Sequence, residues 1–210
     1  MFPPNPMPLL SCAPVVPVLT IECVEDAVPL ARALVAGGLL LIEVTLRTSI
    51  ALEAARAIAA EVPDAILGIG TLTKASDVAA ALSAGAKFLV TPGTPPELAA
   101  ALSQSPVPVI PACATPTEAM ALANLGFSVL KFFPAATAGG VEFLRQIAGP
   151  LPHLKFIPSG GITADTAGAY LALPNVIAVS GAWVAPKEAV AARDFAKITA
   201  LARAASSLRR

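Results

Sequence analysis

The sequence is poor in the residue types that most often hold metal ions or act as general bases. Its 210 residues include one histidine, His153, and three cysteines, Cys12, Cys23 and Cys113. One histidine excludes a multi-histidine metal site, and the cysteines lack the short spacing of zinc ligands. A Ser-His-Asp triad would need His153, for which an exposed loop position is the simpler interpretation. We therefore predict reduced thiols, no metal site and no cofactor.

Charge is also scarce, and it is balanced. Charged residues make up 13% of the chain, with 14 Lys and Arg against 14 Asp and Glu. This balance gives no general attraction to nucleic acid or to an anionic membrane. No apolar run reaches the roughly 18 residues of a membrane span, and no Lys or Arg precedes Arg32 as a secretory signal would require. We expect a cytoplasmic protein that binds neither nucleic acid nor membrane.

Apolar residues are abundant, at 56%, and they alternate between strand-like runs and Ala/Leu-rich stretches of helical spacing. Several of these stretches end in glycine, as in AGGLLLIEV, SAGAKFLV and NLGFSVLKF, which is typical of a left-handed helix cap. The strand-like runs cover residues 14–20, 39–46, 65–70, 87–92, 107–112, 128–134, 155–160 and 176–181. Eight units of about 25 residues predict a closed (β/α)₈ barrel in a single domain.

The main alternative is an open, doubly wound parallel sheet. A dinucleotide-binding fingerprint would favour that fold, but GIGT at 68–71 lacks the third glycine and the spacing. Within the barrel interpretation, residues 1–13 are a loose Pro-rich lead-in and residues 14–210 form the barrel domain. The last helix, at 194–208, closes the ring and leaves a basic tail at 209–210.

One strand carries a lysine in an otherwise apolar run, SVLKFFP at 128–134. Because successive side chains of a strand point to opposite faces, Val129, Lys131 and Phe133 share one face. In the second strand Glu43 shares a face with Arg47, which lies about 13 Å further along. Barrel sites form at the carboxyl ends of strands. We therefore expect Lys131 and Glu43 deep in the barrel and Arg47 near its rim.

These residue types suit carbon–carbon bond chemistry. Burial penalises the charged form of lysine, and an unprotonated amine can attack a carbonyl to form a Schiff base. The iminium draws electrons from a neighbouring bond, and a carboxylate such as Glu43 must then move protons. The structural alternative is that Lys131 reaches the surface, or that Glu43 is simply its ion-pair partner.

A second group of residues suits phosphate binding. Gly160 and Gly161, in IPSGGITADTAGAY, follow the seventh strand and allow backbone N–H groups to approach an anion beside a helix N-terminus. Ser159 offers a hydroxyl, and Ala182 of SGAWV follows the eighth strand. Ordinary glycine-rich turns are the alternative. Thr71 in GIGT and Pro92 in TPG either shape the keto-acid pocket or serve only as turns, and Trp183 is expected to pack in the core.

The sequence resembles the 2-keto-3-deoxy-6-phosphogluconate (KDPG) aldolases, class I Schiff-base pyruvate aldolases. PVVPVL, ALVAGG, EVTLRT, GIGTL, TPG, KFFPA, PSGGI and SGAWV occur in that family's order and spacing, from about residue 14 to about residue 205. The resemblance implies a homotrimeric (β/α)₈ lyase of carbohydrate metabolism that needs no metal. It also implies cleavage of the phosphorylated keto acid to pyruvate and glyceraldehyde 3-phosphate in the Entner–Doudoroff pathway.

The resemblance further implies a role for each motif residue. Lys131 would form the Schiff base and Glu43 would be the acid/base, while Arg47 and Thr71 would hold the keto-acid end. Pro92 and Phe133 would line the pocket, and Gly160 and Gly161 would bind phosphate. The remaining predicted substrate-binding positions are Ser159 and Ala182.

Three departures from the family pattern concern the phosphate end. The usual PTGGI, GGSW and KFFPAE read PSGGI, SGAW and KFFPAA here, so that Ala182 replaces a serine and Ala136 a glutamate. They suggest a weaker phosphate dependence and leave open 2-keto-3-deoxy-6-phosphogalactonate or 4-hydroxy-2-oxoglutarate as substrate. A metal-dependent aldolase and a non-catalytic sugar-phosphate-binding barrel are the more distant alternatives.

Overall fold

A ring of parallel strands forms the centre of the molecule, and helices pack around its outside. The structure is a computed structural model and describes residues 4–208. The strands are β1 (Val15–Leu19), β2 (Leu41–Thr45), β3 (Ile66–Gly70), β4 (Phe88–Val90), β5 (Val109–Ile110), β6 (Ala112–Cys113), β7 (Val129–Phe132), β8 (Lys155–Pro158) and β9 (Val179–Gly181). The helices are α1 (Met7–Leu10), α2 (Val24–Ala36), α3 (Ala51–Glu61), α4 (Ala75–Ser83), α5 (Pro96–Leu102), α6 (Pro116–Asn124), α7 (Gly140–Ile147), α8 (Ala164–Leu171), α9 (Lys187–Ala191) and α10 (Phe195–Ser206).

The strands form two sheets, and the ring closes where these sheets meet. One sheet has the order β5-β4-β3-β2-β1-β9 and the other β6-β7-β8, and a parallel bridge between Ser159 and Ser180 joins β8 to β9. Strands β5 and β6 are the two halves of the fifth predicted strand, interrupted at Pro111, which has no N–H to donate. The predicted (β/α)₈ barrel in a single domain is therefore confirmed.

Two threonines hold the interrupted strand in place. The Thr91 hydroxyl accepts a hydrogen bond from the Ala112 N–H at 2.9 Å, and the Thr94 hydroxyl donates to the Ala112 carbonyl at 2.9 Å. The two hydroxyls lie 2.8 Å apart, so Thr91 is left to donate to Thr94. Because Ala112 pairs with Lys131 of β7, this network supports the strand next to the lysine.

The helix ends and the ring closure follow the sequence pattern. The three helix-ending glycines, Gly38, Gly85 and Gly126, have φ values of 90°, 93° and 91°, the left-handed conformation that glycine adopts most easily. Helix α10 packs against α2, where the Thr199 hydroxyl donates to the Ala33 carbonyl at 3.0 Å. The last helix thus closes the ring, as predicted, while the basic tail at 209–210 lies outside the described residues.

The core has two layers. The larger one fills the space between strands and helices, and the smaller one fills the inside of the barrel with side chains such as Val16, Phe88 and Ile157. Leu10 of α1 is 1% exposed and packs in this inner layer. The lead-in was expected to be loose, but residues 7–10 form a helix because burial of Leu10 in the barrel stabilises it. The domain boundary at residue 13 stays a prediction, and residues 1–3 lie outside the described range.

Candidate active site

Lys131 and Glu43 meet inside the barrel. The Lys131 ammonium donates to Glu43 Oε1 at 3.3 Å, and the two side chains are only 6% and 1% exposed. They line an inner cavity of about 10 Å³ together with Ser180 and apolar side chains, which are Val16, Phe88, Val90, Ile110 and Ile157. Removing either partner would leave the other charge buried and uncompensated, which makes this pair energetically sensitive.

Two glycines of β3 make room for these buried side chains. A methyl group on Gly70 would lie 2.0 Å from Glu43 Oε1, and one on Gly68 would lie 2.2 Å from the Phe88 ring. No larger residue fits at either position without moving its neighbour. The sequence of GIGT indicated a role for Thr71 but none for its two glycines, because the partners of Gly70 and Gly68 lie 27 and 20 positions away (70 − 43 and 88 − 68) on other strands.

The second-strand motif continues into a turn that carries the predicted anion-binding side chain. Arg47 lies two residues beyond β2 and is exposed, and no carboxylate of residues 4–208 lies within 4.0 Å of its guanidinium group. Thr45, on the same strand face, instead donates its hydroxyl to the Leu19 carbonyl at 2.8 Å and is fully buried. Arg47 is therefore available for a ligand, while Thr45 fixes β2 against β1.

Arg47 faces a pocket at the carboxyl ends of the strands, which we call the mouth pocket. It has a volume of about 210 Å³. Its lining residues are Val18, Arg47, Phe133, Ser159, Gly160, Gly161, Ile162, Gly181, Ala182 and Trp183. Six of the ten predicted site residues lie in this lining, and Phe133 links it to the lysine, whose Nζ is 5.5 Å from the centroid of that ring. The structure thus brings the predicted phosphate corner and Arg47 together.

The two glycines of the phosphate corner both need a left-handed backbone. Gly160 and Gly161 have φ values of 93° and 74°. A methyl group on Gly161 would lie 2.6 Å from the Cβ of Ala136, so the loop after β7 packs closely against it. Ser159 is 4% exposed, and within residues 4–208 its hydroxyl has no hydrogen-bond partner. That hydroxyl and the turn's backbone are the polar groups that this corner offers a ligand.

Two predicted residues lie outside the lining of both the inner cavity and the mouth pocket. Thr71 directly follows Gly70 and has a φ of 66°, an unusual value for a β-branched residue and one that occurs at functional sites. Pro92 is half-buried in the bend after β4. The keto-acid roles of Thr71 and Pro92 stay predictions.

Two residues with polar side-chain atoms that were not predicted as site residues also line these cavities. Ser180 is 3% exposed in the inner cavity with Lys131 and Glu43, and no hydrogen-bond partner for its hydroxyl is found in the described chain. Trp183, expected only in the core, is half-buried and also lines the mouth pocket. Its ring covers Gly181, where a methyl group would lie 2.0 Å from it. The period-two pattern of β9 could have indicated Ser180, since it places residues 178, 180 and 182 on one face.

Among residues 4–208 the remaining titratable groups include side-chain types that can bind metal ions, and also cysteine thiols. In the part of the chain that the structure describes, no three His, Cys, Asp or Glu side chains are placed to hold a metal ion, and no helix is long and apolar enough to cross a membrane. Cys113 lies at the end of β6, where burial and the nearby Glu118 carboxylate raise the pKa of its thiol to about 12. The thiol is therefore protonated near neutral pH.

Comparison with known proteins identifies relatives over nearly the whole chain. The family model described as KDPG and KHG aldolase matches residues 8–201. A 2-dehydro-3-deoxy-phosphogluconate aldolase of Dickeya dadantii is 46% identical over 197 residues, which cover 94% of this chain and 92% of that protein. The KHG/KDPG aldolase of Escherichia coli is 45% identical over the same shares of the two chains.

A solved structure extends the likeness to the backbone. The KDPG aldolase of Legionella pneumophila, with pyruvate captured as a covalent carbinolamine intermediate, superposes with a TM-score of 0.95. It is 41% identical, and the match covers 97% of this chain and 99% of that one.

Proposed function

Because this chain belongs to the KDPG and KHG aldolase family, we propose that Lys131 and Glu43 carry out its aldol cleavage. The protein is a lyase, a 2-dehydro-3-deoxy-phosphogluconate aldolase, which splits its substrate into pyruvate and glyceraldehyde 3-phosphate through a lysine Schiff base. The assignment of this reaction to two particular side chains rests on their geometry.

In the proposed mechanism Lys131 first becomes a nucleophile. Glu43 Oε1, 3.3 Å from the ammonium, accepts its proton. The free amine adds to the C2 carbonyl of the keto acid to give a carbinolamine, and the Glu43 carboxyl group then returns its proton to the departing hydroxyl, so that water leaves, an iminium forms and Glu43 is a carboxylate again.

Cleavage then needs one base and one acid. Glu43 removes the proton of the C4 hydroxyl, the C3–C4 bond breaks, and its electrons form an enamine as the aldehyde departs. The same carboxyl group returns the proton to C3. Water hydrolyses the resulting iminium and releases pyruvate and the Lys131 ammonium group, so that the water lost in the first step is regained and the ion pair with Glu43 is restored.

The observation that carries this proposal is the buried pair formed by Glu43 of β2 and Lys131 of β7. Lysine and glutamate are rarely buried, and here each lies within hydrogen-bond distance of the other beside the mouth pocket. A purely structural ion pair would not need an open pocket beside it, or an arginine in that pocket with no carboxylate within 4.0 Å among residues 4–208. The binding-only alternative does not account for a lysine held below that pocket.

Borohydride trapping tests the proposal directly. The protein is incubated with pyruvate and sodium borohydride, and the peptide carrying Lys131 is examined by mass spectrometry. We expect a reduced pyruvyl adduct on Lys131 and none in Lys131→Arg. Lys155, on the neighbouring strand β8, provides an internal control because its amine instead donates to the Pro174 carbonyl at 3.0 Å. A folded protein without an adduct at Lys131 would contradict the proposed role.

The phosphate end supports a second candidate, an aldolase for another 2-keto acid with weaker phosphate dependence. Ala182 places a methyl group in the mouth pocket where the family often has a serine hydroxyl. A hydrogen bond to a charged group is worth about 1.5–3 kcal/mol, or roughly tenfold or more in affinity. The E. coli relative carries both the KHG and the KDPG name, which makes an unphosphorylated substrate such as 4-hydroxy-2-oxoglutarate the leading alternative.

A comparison of substrates separates the two candidates. We expect Ala182→Ser to raise kcat/KM for the phosphorylated keto acid about tenfold and to leave that for 4-hydroxy-2-oxoglutarate within twofold. Ser159→Ala should lower kcat/KM for the phosphorylated keto acid and leave that for 4-hydroxy-2-oxoglutarate unchanged. A wild-type preference for phosphate of many orders of magnitude would reject the second candidate.

The proposed assembly is a homotrimer in the cytoplasm. Exposed Met120 and Leu125 lie on and just after α6, beside an apolar groove of about 630 Å³ between α5 and α6. Large exposed apolar patches favour subunit contact. A sedimentation experiment giving the mass of one chain at micromolar concentration would rule out the trimer, and Met120→Glu should weaken it.

A further inference from the structure

A second cavity opens beside the mouth pocket, between the loop after β1 and the segment that leads into α9. We call it the side chamber. Its volume is about 320 Å³, within the range of small-molecule sites. It shares Val18, Arg47 and Ala182 with the mouth pocket, so the two cavities adjoin at these three residues. The remaining lining residues are Thr20, Ile21, Glu22, Cys23, Asp26, Ala185, Lys187, Val190 and Ala191.

The charged groups of the side chamber are largely matched by their neighbours. At the rim, Lys187 lies 3.6 Å from Glu22, and both side chains are mostly exposed. Asp26 Oδ1 lies 2.7 Å from Arg193 Nε as an ion pair rather than a well-aligned hydrogen bond. Arg47, at the junction with the mouth pocket, is the one charged lining residue without an oppositely charged partner within 4.0 Å in the described chain.

Apart from the charged groups, the wall carries one hydroxyl and one thiol, and both already have partners: the Thr20 hydroxyl lies 3.3 Å from that of Thr45, and the Cys23 thiol donates to Glu25 Oε2 at 2.7 Å. The other side chains are apolar. Ile21, Ala185, Val190 and Ala191 face the chamber, and Ala182 forms the step between the two cavities with a methyl group. Within the described chain, such a wall has no free cation to pair with a second anion besides the one that Arg47 can bind. Each ligand methylene that it removes from water raises the affinity by about fourfold. Its chemistry therefore matches a hydrocarbon tail rather than a phosphate or a sugar.

We propose that the side chamber binds the apolar tail of an extended acceptor aldehyde during aldol addition to pyruvate. The proposal rests on the proposed function, since the pyruvate enamine on Lys131 must be the nucleophile. Enamine C3 forms a bond to the aldehyde carbon, and the carbonyl electrons move to oxygen, which takes the proton of the Glu43 carboxyl group. Water then hydrolyses the iminium and releases a 4-hydroxy-2-keto acid that carries the tail.

The acceptor series propanal, butanal, pentanal and hexanal tests the chamber with pyruvate held at saturation. We expect kcat/KM to rise about 60-fold from propanal to hexanal, because three added methylenes are buried at about fourfold each. Ala191→Phe fills the chamber and should lower the hexanal-to-propanal ratio about tenfold. Ala192→Phe places the same ring one residue further along, outside the lining, and should leave the ratio at its wild-type value. Ala191→Leu, a smaller filler, provides a second variant if the phenylalanine impairs folding.

The outcomes distinguish a failure of the side-chamber proposal from a failure of the proposed catalytic roles of Lys131 and Glu43. A flat acceptor series in wild-type protein that still forms the pyruvate adduct on Lys131 would overturn the role of the side chamber alone. Equal ratios in Ala191→Phe and Ala192→Phe would overturn it as well. Absence of both adduct and turnover with every acceptor would overturn the proposed catalytic roles, and the chamber's role with them.

Discussion

Gly70→Ala provides the sharpest test of the buried pair, because it changes neither of the two charged residues. The added methyl group would lie 2.0 Å from Glu43 Oε1 and 2.7 Å from the Cγ and Cδ atoms of that side chain. Ordinary contact is about 3.4 Å, so the carboxylate must move by roughly 1.4 Å. The Lys131–Glu43 contact, now 3.3 Å, is then expected to exceed hydrogen-bond distance.

A displacement of this size has a predictable effect on catalysis. Misplacing a catalytic group by about 1 Å can lower the rate by about 10²-fold. We expect Gly70→Ala to lower kcat about 10²-fold in a coupled pyruvate assay, while borohydride still traps pyruvate on Lys131. Overpacking should also lower the free energy of unfolding by about 1–3 kcal/mol.

Gly168→Ala is the matched control. This glycine is exposed in α8 and an added methyl group would meet nothing within 4 Å, so we expect full activity and a gain of about 0.5–1 kcal/mol in stability. Activity of Gly70→Ala within twofold of wild type would show that the position of the Glu43 carboxylate does not matter to the rate, and would refute the reasoning.

Four further predictions concern the buried polar groups. Glu43→Gln keeps the shape of the side chain but cannot accept a proton, so kcat should fall about 10²- to 10⁴-fold and the Lys131 adduct should form more slowly on borohydride treatment. Lys131→Met leaves the Glu43 carboxylate buried alone and should lower the free energy of unfolding in urea by about 3–5 kcal/mol, and adding Glu43→Gln should recover most of it. Thr91→Val removes the acceptor for the Ala112 N–H and should cost about 1–3 kcal/mol in the same assay, whereas Thr117→Val at an exposed site should not. Cys113 should resist iodoacetamide at pH 8 while exposed Cys12 reacts. Folding raises the pKa of the Cys113 thiol from 9.0 to about 12, so its contribution to the free energy of unfolding is complete below pH 9 and is lost towards pH 12 by about 1.4 kcal/mol per pH unit. Cys113→Ala should remove this pH dependence.

The barrel and the pair at its centre could be predicted from the sequence because they depend on local periodicity. Strand runs alternating with helical stretches require parallel strands, and the period-two pattern places Lys131 and Glu43 on inward faces. The two side chains do meet, at 3.3 Å. The order in which such a barrel closes also brings the turn at Gly160 and the end of β9 to one corner.

Other features depend on partners that are distant in the sequence. Nothing near residues 68 and 70 indicates why those positions are glycine, since the reasons are Phe88 and Glu43 on the neighbouring strands β4 and β2. The structure of residues 4–13, the described part of the Pro-rich lead-in, also depends on residues that are distant in the sequence. Its prolines suggested a loose segment, and only the open end of the barrel explains why Leu10 is buried.

The sequence by itself therefore determined the kind of fold and the chemistry of its centre, because strand and helix periods and the rarity of buried lysine are local properties. The tertiary structure alone decided how much room each group has. It placed a glycine beneath the Glu43 carboxylate, and it placed Arg47 at the mouth pocket with no carboxylate partner among residues 4–208. It also formed the side chamber beside Ala182. Space between side chains depends on which strands and loops become neighbours, and that is settled only when the ring closes.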